Sequence, residues 1–307
     1  MSLIVAENLG KSYGSVVAVD SLNLKLDAGS VTGLIGPNGA GKTTTIKMIL
    51  GLLKPDRGRV RVFGQDPWDN PEIRTMTGIV YEKAFFPAHQ KTLDYLERVC
   101  RIYGVSESRA MEVLEAVNLQ EATDRQIRAL SAGMLQKFAI AHALVHKPKL
   151  IVADEMTANL DPQARSELLE LVLNLNKDEK AAFLLSSHIL PELSRVCDSA
   201  AIMNRGKVRA FGKLSELYAK YAVGLIRVST DKPKDLADEV KKLNYVKKVD
   251  SDIKGISVTV DEGKEDDIYE DIPRLARKVK AKVLGIETGS ASMEELYMQA
   301  INEKERK

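Results

Sequence analysis

The sequence predicts an α/β fold over its first two thirds, followed by a small α+β unit. Residues 31–35, 150–153 and 181–186 are short runs of apolar and β-branched side chains, which are typical of buried strands in a parallel sheet. Helical periodicity separates these runs. From about Val223 the composition changes to many lysines and few glycines, and this change predicts a second unit.

Three strands are predicted before the first buried run. Residues 3–7, 15–20 and 22–26 have the composition of strands, and the last segment alternates with period two. We expect them to form an antiparallel β piece beside the central sheet. Helices are predicted over residues 92–103 and 106–117, and no heptad array occurs there, so no coiled-coil insertion is expected.

The residues after the first buried strand match the pattern G-x-x-x-x-G-K-[ST] and precede a helix at 44–50. Glycines permit positive φ and close backbone approach, so consecutive N–H groups can surround a polyphosphate. Lys42 is expected to reach the outer phosphates, and the Thr43 hydroxyl to bind Mg²⁺. A glycine-rich turn without a ligand is the alternative, but the strand–loop–helix context favours a nucleoside triphosphate. The predicted nucleotide-binding residues here are Gly36, Asn38, Gly39, Ala40, Gly41, Lys42, Thr43 and Thr44.

An acidic pair, Asp154 and Glu155, ends the second buried run. The carboxyl end of such a strand is where phosphate-loop enzymes hold Mg²⁺ and an attacking water. Asp154 is therefore predicted to hold Mg²⁺, directly or through water, and Glu155 to polarise the water. The alternative is that the pair only caps the following helix. His188 comes just after the strand at 181–186, where it could converge with Glu155 on a γ-phosphate.

Other polar and aromatic residues admit two interpretations. Ser131 begins a helix that runs to about His146, and it could provide a second anion site or be an ordinary N-cap. Tyr13 could stack on an adenine ring or be an ordinary residue at a strand end. His89 and His142, like His146, have no predicted chemical partner.

Composition excludes several classes of protein. The 45 basic and 43 acidic residues nearly balance, so the chain lacks the basic field of a dedicated nucleic-acid binder. No run of eighteen apolar residues occurs, and the first residues lack the basic segment of a signal peptide. Cys100 and Cys197 are isolated, without metal-ligand or redox spacing. We therefore expect a soluble protein of the cytosol.

In their order and spacing, the motifs at 36–43, 130–134 and 151–155, with Asp161 and His188, resemble the ATP-binding cassette of ABC transporters. The most specific piece is Leu-Ser-Ala-Gly-Met at 130–134, which is similar to the signature motif of that family. The resemblance covers residues 1–215 and implies a phosphate-loop NTPase cassette. Such a cassette has a RecA-like core, an antiparallel β piece and a helical subdomain.

The resemblance also implies roles for single residues. Tyr13 matches the aromatic residue that stacks on adenine, and Ser131 and Gly133 match positions that contact the γ-phosphate from the opposite subunit. Glu82 matches a glutamine near the metal, so it is a candidate Mg²⁺ ligand. Catalytic roles fall to Glu155, His188 and Lys42. The remaining matches are Asp154, associated with Mg²⁺, and Asp161, on a loop that crosses the dimer.

Four positions depart from the family pattern. Ala132 replaces the first of two glycines, and Met134 replaces the usual glutamine of the signature. Glu82 places a negative charge where a neutral amide is usual, and Met156 stands where a proline commonly follows the glutamate. Because Lys42, Glu155 and His188 are all present, hydrolysis is still expected. The altered signature leaves open a slower enzyme or a heterodimer with a better-matched cassette.

The implied function is an ATPase subunit that powers an export pump through a separate transmembrane permease subunit. ATP would be sandwiched in a head-to-tail dimer, a homodimer or a heterodimer. The protein would lie in the cytoplasm, on the inner face of the cell membrane. Two alternatives remain: a soluble ABC ATPase without a transport role, which the near-neutral charge disfavours, and an ATP-dependent dimerisation switch with little turnover. No nucleic-acid partner is expected.

The last third, residues 222–307, is predicted to be a ferredoxin-like unit. The pattern is a strand at 224–229, a helix at 233–243, strands at 245–250 and 256–260, a helix at 266–279, a strand at 282–287 and a terminal helix at 292–304. A regulatory or dimerising module is expected. Residues 292–297 resemble the closing motif of the accessory domain in export pumps of the drug-resistance type. The segment 85–93 resembles the same subgroup and would contact the membrane subunit.

Overall fold

The computed structural model describes residues 2–221, 225–261, 263–288 and 293–305. The chain forms two compact units, Met1–Leu214 and Ser215–Lys307. The described elements of the first unit are, in chain order, β1 (Ser2–Tyr13), β2 (Val16–Asp27), β3 (Val31–Ile35), α1 (Lys42–Ile49), β4 (Arg57–Val62), β5 (Thr77–Val80), α2 (Thr92–Tyr103), α3 (Ser108–Ala116), α4 (Ala132–Leu144), β6 (Leu150–Asp154), α5 (Pro162–Glu179), β7 (Ala182–Ser187), α6 (Leu190–Ser194), β8 (Ser199–Asn204) and β9 (Lys207–Lys213). Short 3-10 helices lie at Pro71–Met76, Gln120–Ala122 and Ile127–Ala129.

The central sheet has six strands in the order β5-β6-β7-β3-β8-β9. All neighbours are parallel except β8 and β9. Every residue of β3, β6 and β7 is buried, which explains why these strands appear in the sequence as largely apolar runs. Their carboxyl ends lie side by side, because Ile35 pairs with Ser187 and Asp154 pairs with Ser186.

A second sheet of three antiparallel strands has the order β2-β1-β4. The prediction of two separate strands at 15–20 and 22–26 is wrong, because both belong to β2. Ser21, between them, has a left-handed backbone with φ 53°, and this kink interrupts the alternation of side chains. The third strand of the sheet is β4, which follows the phosphate loop in the chain instead of preceding it.

The main core lies where α1 packs with the residues of both sheets. Ile46 and Ile49 of α1 are buried together with Ile4 of β1, Leu22 of β2 and Leu34 of β3. Burying each such side chain contributes about 1.5–3 kcal/mol, so the helix after the phosphate loop is held firmly. The helices α2, α3 and α4 pack on one another and form the helical part of this unit.

The second unit begins within α7 (Leu214–Tyr221) and continues with β10 (Leu225–Thr230), α8 (Pro233–Val240), β11 (Val246–Ser251), β12 (Gly255–Val260), α9 (Glu265–Lys278), β13 (Val283–Thr288) and α10 (Met293–Glu305). Its sheet is antiparallel, with the order β11-β12-β10-β13, and this is the strand order of a ferredoxin-like unit. The predicted strands and helices therefore occur here in the expected order. Of the predicted closing motif at 292–297, Ser292 lies outside the described residues, and the rest begins α10.

Candidate functional site

The phosphate loop connects β3 to α1 and needs its glycines for two different reasons. Gly39 and Gly41 have φ of 79° and 100°, a left-handed backbone that favours glycine. A Cβ atom on Gly36 would lie 2.4 Å from the carbonyl oxygen of Met203 in β8. The loop therefore keeps its conformation only with glycine at these positions. At its end, the first N–H groups of α1 have no acceptor within the helix and can bind an anion.

Lys42 is the first residue of α1, and its side chain turns back into this loop. Its ammonium nitrogen lies 2.6 Å from the carbonyl oxygen of Gly36 and 3.1 Å from that of Pro37. The same nitrogen lies 3.0 Å from Oε1 of Glu155, and the Lys42 side chain is only 5% exposed. A nearly buried cation is thus placed inside a loop of backbone dipoles, which is a suitable environment for a phosphate group.

Glu155 follows β6 directly and joins this lysine to a histidine. Its Oε2 lies 2.7 Å from Nδ1 of His188, the residue after β7. The Glu155 backbone is left-handed, with φ 52°, which stores about 1–3 kcal/mol of strain. Its N–H group donates to the carbonyl and hydroxyl oxygens of Ser186 on β7. Lys42, Glu155 and His188 therefore form one connected group at the carboxyl edge of the sheet.

Asp154, the last residue of β6, lies beneath this group and is buried. Its Oδ1 accepts a hydrogen bond of 2.6 Å from the Ser186 hydroxyl. Ser186 is not among the residues predicted from the sequence. The only signal for it is a polar pair, Ser186 and Ser187, at the end of an otherwise apolar strand. Since the same hydroxyl also accepts from the Glu155 N–H, Ser186 fixes both acidic residues.

The donor set fits Mg²⁺ better than a metal that needs a cage of protein ligands. Within the described parts of the chain, no cluster of three or more His, Cys, Asp or Glu side chains could hold a metal ion. Mg²⁺ commonly keeps several waters and binds one or two carboxylates together with substrate phosphates. Asp154 and the exposed Thr43, on the first turn of α1, are ligands of that kind.

Glu82, after β5, is held from two sides. The Gln136 amide on α4 donates to the backbone carbonyl of Glu82 at 2.8 Å. The Asn159 amide, in the loop before α5, donates to the Glu82 carboxylate at 3.3 Å. Gln136 is a further residue that sequence analysis does not identify, and its signal is a buried amide on a largely apolar helix. The two contacts place Glu82 between α4 and the loop that follows Glu155.

The remaining predicted residues lie outside the connected group. Ser131 caps α4, since its hydroxyl accepts from the N–H of Met134, and Gly133 packs toward Ala164 of α5. Tyr13 lies at the end of β1 and is half exposed. In the described chain, no hydrogen bond or ion pair joins these three predicted residues to Lys42, Glu155 or His188.

A separate groove lies beside α4 and contains most of the aromatic side chains of the helical part. Phe86 packs edge-on against Tyr95, Phe138 and His142. Phe86, Tyr95 and His142 also line a cavity of about 310 Å³. Burial lowers the pKa of His142 from 6.5 to about 4, so this imidazole is neutral at pH 7. Phe85, also on the groove, is 89% exposed. The predicted partner-binding segment 85–93 thus begins with an exposed apolar side chain.

Comparison with known proteins identifies the family of this site. Residues 19–158 match the family described as ABC transporter. A bacitracin transport ATP-binding protein of Bacillus licheniformis is 39% identical over 67% of this chain and 68% of its own length. A daunorubicin/doxorubicin resistance ATP-binding protein of Streptomyces peucetius is 31% identical over 96% of this chain and 91% of its own.

A solved structure supports the same assignment. The structure of cbiO1 from Clostridium perfringens, described as part of the ABC transporter complex cbiONQ, has a TM-score of 0.65 at 26% identity, and the match covers 71% of this chain and 91% of that one. In the described residues, no helix has the length and apolar character needed to cross a bilayer. The chain belongs to the ABC transporter family, as an ATP-binding, ATP-hydrolysing subunit of the group that contains these transport and resistance proteins.

Proposed function

We propose that this protein hydrolyses ATP to drive export through a separate membrane permease. The observation that supports this most directly is the connection of Lys42, Glu155 and His188 at the carboxyl edge of the parallel sheet. Distances of 3.0 Å and 2.7 Å join the Glu155 carboxylate to the other two side chains. Ligands bind at this edge in open α/β sheets, and phosphoryl transfer to water uses a cation that binds the phosphates together with a side chain that positions the attacking water.

Each member of the group has a proposed role. Glu155 polarises a water that attacks the γ-phosphorus, so that a new P–O bond forms as the bond to the ADP oxygen breaks. His188 orients the Glu155 carboxylate through the 2.7 Å hydrogen bond and faces the γ-phosphate. Lys42 offsets the negative charge that accumulates on the phosphate oxygens. Asp154 and Thr43 would hold Mg²⁺, which supplies further charge neutralisation when bound, and Glu82 is a third candidate ligand.

The nucleotide is proposed to lie between two cassettes in a head-to-tail dimer. The phosphate loop neutralises only part of the triphosphate charge, and the helix N-terminus at Ser131 and Gly133 offers further donors that the first cassette does not direct at its own nucleotide. A second copy, or a related cassette, would bring these donors to the γ-phosphate. Tyr13, exposed at the end of β1, would stack on the adenine.

The membrane partner is proposed to bind the exposed surface that begins at Phe85, which places the protein on the cytoplasmic face of the membrane. The names of the relatives suggest antibiotics or other amphipathic natural products as the exported class. The substrate would be recognised by the permease. The second unit is proposed to be a regulatory or dimerising accessory domain.

A second candidate function is an ATP-dependent dimerisation switch with little turnover. It is favoured by Ala132 in the signature and by the Glu82 carboxylate, which brings an extra negative charge to the nucleotide edge of the sheet. The two functions differ in turnover, because a switch requires ATP binding and dimerisation but no rapid hydrolysis.

The test is ATP turnover of the purified full chain with Mg²⁺, measured together with its mass by light scattering, for the parent and Glu155→Gln. Turnover by the parent and an ATP-dependent dimer of the variant would support the motor. A parent that dimerises with ATP but does not turn it over would support the switch. Affinity purification from detergent-solubilised membranes then tests the partner, since an exporter subunit should retain an integral membrane protein.

A further inference from the structure

We propose that Glu192 is a positioning residue for hydrolysis, because it ties together the two chain segments that carry Glu155 and His188. Glu192 belongs to α6, four residues after His188. Its carboxylate is 11% exposed, so it is nearly buried. A buried carboxylate is stable only when its oxygens accept hydrogen bonds or meet a cation, and here each oxygen has a different partner.

The first partner lies just after Glu155. The hydroxyl of Thr157 donates to Oε2 of Glu192 at 2.8 Å. Thr157 is only 3% exposed, so water does not compete freely for this hydrogen bond. The contact spans 35 positions of the chain and joins the segment after β6 to the segment after β7.

The second partner lies on α5, the helix before α6 in the chain. Nη1 of Arg165, in the first turns of α5, is 3.3 Å from Oε1 of Glu192. Nε of the same guanidinium donates to the carbonyl oxygen of Leu160 at 2.8 Å. Arg165 therefore fixes the end of the loop after Glu155, while Thr157 fixes its beginning, and both are joined to the same carboxylate.

This arrangement bears on catalysis because Glu155 itself is held in an unfavourable conformation. Its left-handed φ of 52° persists only if the surrounding chain enforces it. The hydrogen bonds that the Glu155 N–H donates to Ser186 hold Glu155 on its strand side, and the hydrogen bond from Thr157 to Glu192 holds the chain on its other side. Glu192 itself lies in the segment after His188, and its carboxylate binds the segment after Glu155. The 2.7 Å contact between Nδ1 of His188 and Oε2 of Glu155 therefore joins two segments that Glu192 also holds together.

Glu192 makes no hydrogen bond or ion pair with the phosphate loop in the described part of the chain, so it should act on the rate and leave nucleotide binding intact. Small displacements of a reacting group lower a rate by up to about a hundredfold without a comparable effect on affinity. This inference rests on the proposed function, in which Glu155 polarises the attacking water.

The experiment compares two substitutions of Thr157 in the full chain. Thr157→Val keeps the shape of the side chain and removes the hydroxyl, while Thr157→Ser keeps the hydroxyl and removes a methyl group. We expect Thr157→Val to lower kcat at least about tenfold, with the Kd for ATP changed less than about twofold. Thr157→Ser should retain kcat within about twofold of the parent. The kcat of Glu192→Gln, which keeps one acceptor oxygen, should lie between the values of these two variants.

A double-mutant cycle separates positioning from general stability. If the hydrogen bond between Thr157 and Glu192 acts through the Glu155–His188 pair, Thr157→Val should have little further effect on kcat in a His188→Ala background. If the reductions of kcat by Thr157→Val and His188→Ala instead multiply in the double variant, the proposal is overturned. Equal losses in Thr157→Val and Thr157→Ser would also overturn it, because only the first lacks the hydroxyl.

The outcomes also distinguish this proposal from the function on which it rests. If the parent hydrolyses ATP and the kcat of Thr157→Val lies within about twofold of the parental value, the positioning role is rejected and the ATPase assignment remains intact. A Glu155→Gln variant that hydrolyses ATP at the parental rate would reject the catalytic assignment itself. Thermal unfolding of each variant, compared with the parent, shows whether a loss of kcat accompanies a loss of folded protein.

Discussion

The Lys42 ammonium and the Glu155 carboxylate form an ion pair at 3.0 Å, and the two side chains are 5% and 12% exposed. The other two donors of this ammonium are directed at the carbonyl oxygens of Gly36 and Pro37. A phosphate oxygen that binds Lys42 must therefore replace one of these three acceptors. If ATP binds here, nucleotide binding and the position of the Glu155 carboxylate are thus coupled through one side chain.

Replacing Lys42 by alanine should weaken ATP binding by about tenfold to a hundredfold, because a charge-assisted hydrogen bond contributes about 1.5–3 kcal/mol. Isothermal titration with a non-hydrolysable ATP analogue measures the change. Lys47→Ala is the matched control, since Lys47 lies on the same helix and is exposed. Equal affinities of Lys42→Ala and the control would contradict the proposed role of Lys42.

Replacing Glu155 by glutamine should abolish hydrolysis and keep binding. The amide has nearly the shape of the carboxylate but cannot take up the proton of the attacking water, so turnover should fall at least about a hundredfold. The variant should also accumulate as an ATP-bound dimer in light scattering, because the nucleotide is no longer consumed. Glu170→Gln, an exposed position on α5, is the control that should keep parental turnover.

The ends of the buried strands could be predicted from sequence because their signal is local. Residues Gly36, Asp154 and Ser186 are glycine or polar, while the residue just before each of them is apolar, and parallel pairing brings such ends to one edge. The structure adds the distances at this edge, where the Glu155 carboxylate lies 3.0 Å from the Lys42 ammonium and 2.7 Å from His188. That these residues perform the proposed chemistry remains a prediction.

Other features have no local signal. Thr157 and Glu192 are ordinary residues in a polar loop and a short helix, and only the folded chain brings their oxygen atoms to 2.8 Å. The continuity of β2 through Ser21 is hidden for a different reason. A single left-handed residue shifts the alternation of side chains while the hydrogen bonds to β1 continue on both sides. Both features depend on pairing between distant segments.

Replacing Glu82 by glutamine should preserve turnover or raise it. The amide oxygen can still accept the hydrogen bond from Asn159, and the negative charge near the expected Mg²⁺ is lost. Gln136 binds the backbone at this position, so its contact is independent of the substitution. The measurement is kcat over a series of Mg²⁺ concentrations. A collapse of turnover would mean that the carboxylate has a role of its own, such as direct binding of the metal.

Acidic pH should destabilise the first unit through His142. Burial lowers the pKa of His142 from 6.5 to about 4, so between these values the unfolded chain binds a proton that the folded chain does not. The stabilisation from a neutral His142 is thus complete above pH 6.5 and is lost as the pH falls toward 4, by about 2 kcal/mol at pH 5.

Urea unfolding followed by the fluorescence of Trp68, the sole tryptophan, measures this loss within the first unit. His142→Phe keeps an aromatic ring against Phe86 and Tyr95 but has no proton to bind. We expect the free energy of unfolding of this variant to fall less than that of the parent between pH 7 and pH 5, by about 2 kcal/mol. Parallel pH profiles of parent and variant would show that the imidazole is already solvated in the folded chain, and the groove beside α4 would then be open to water at His142.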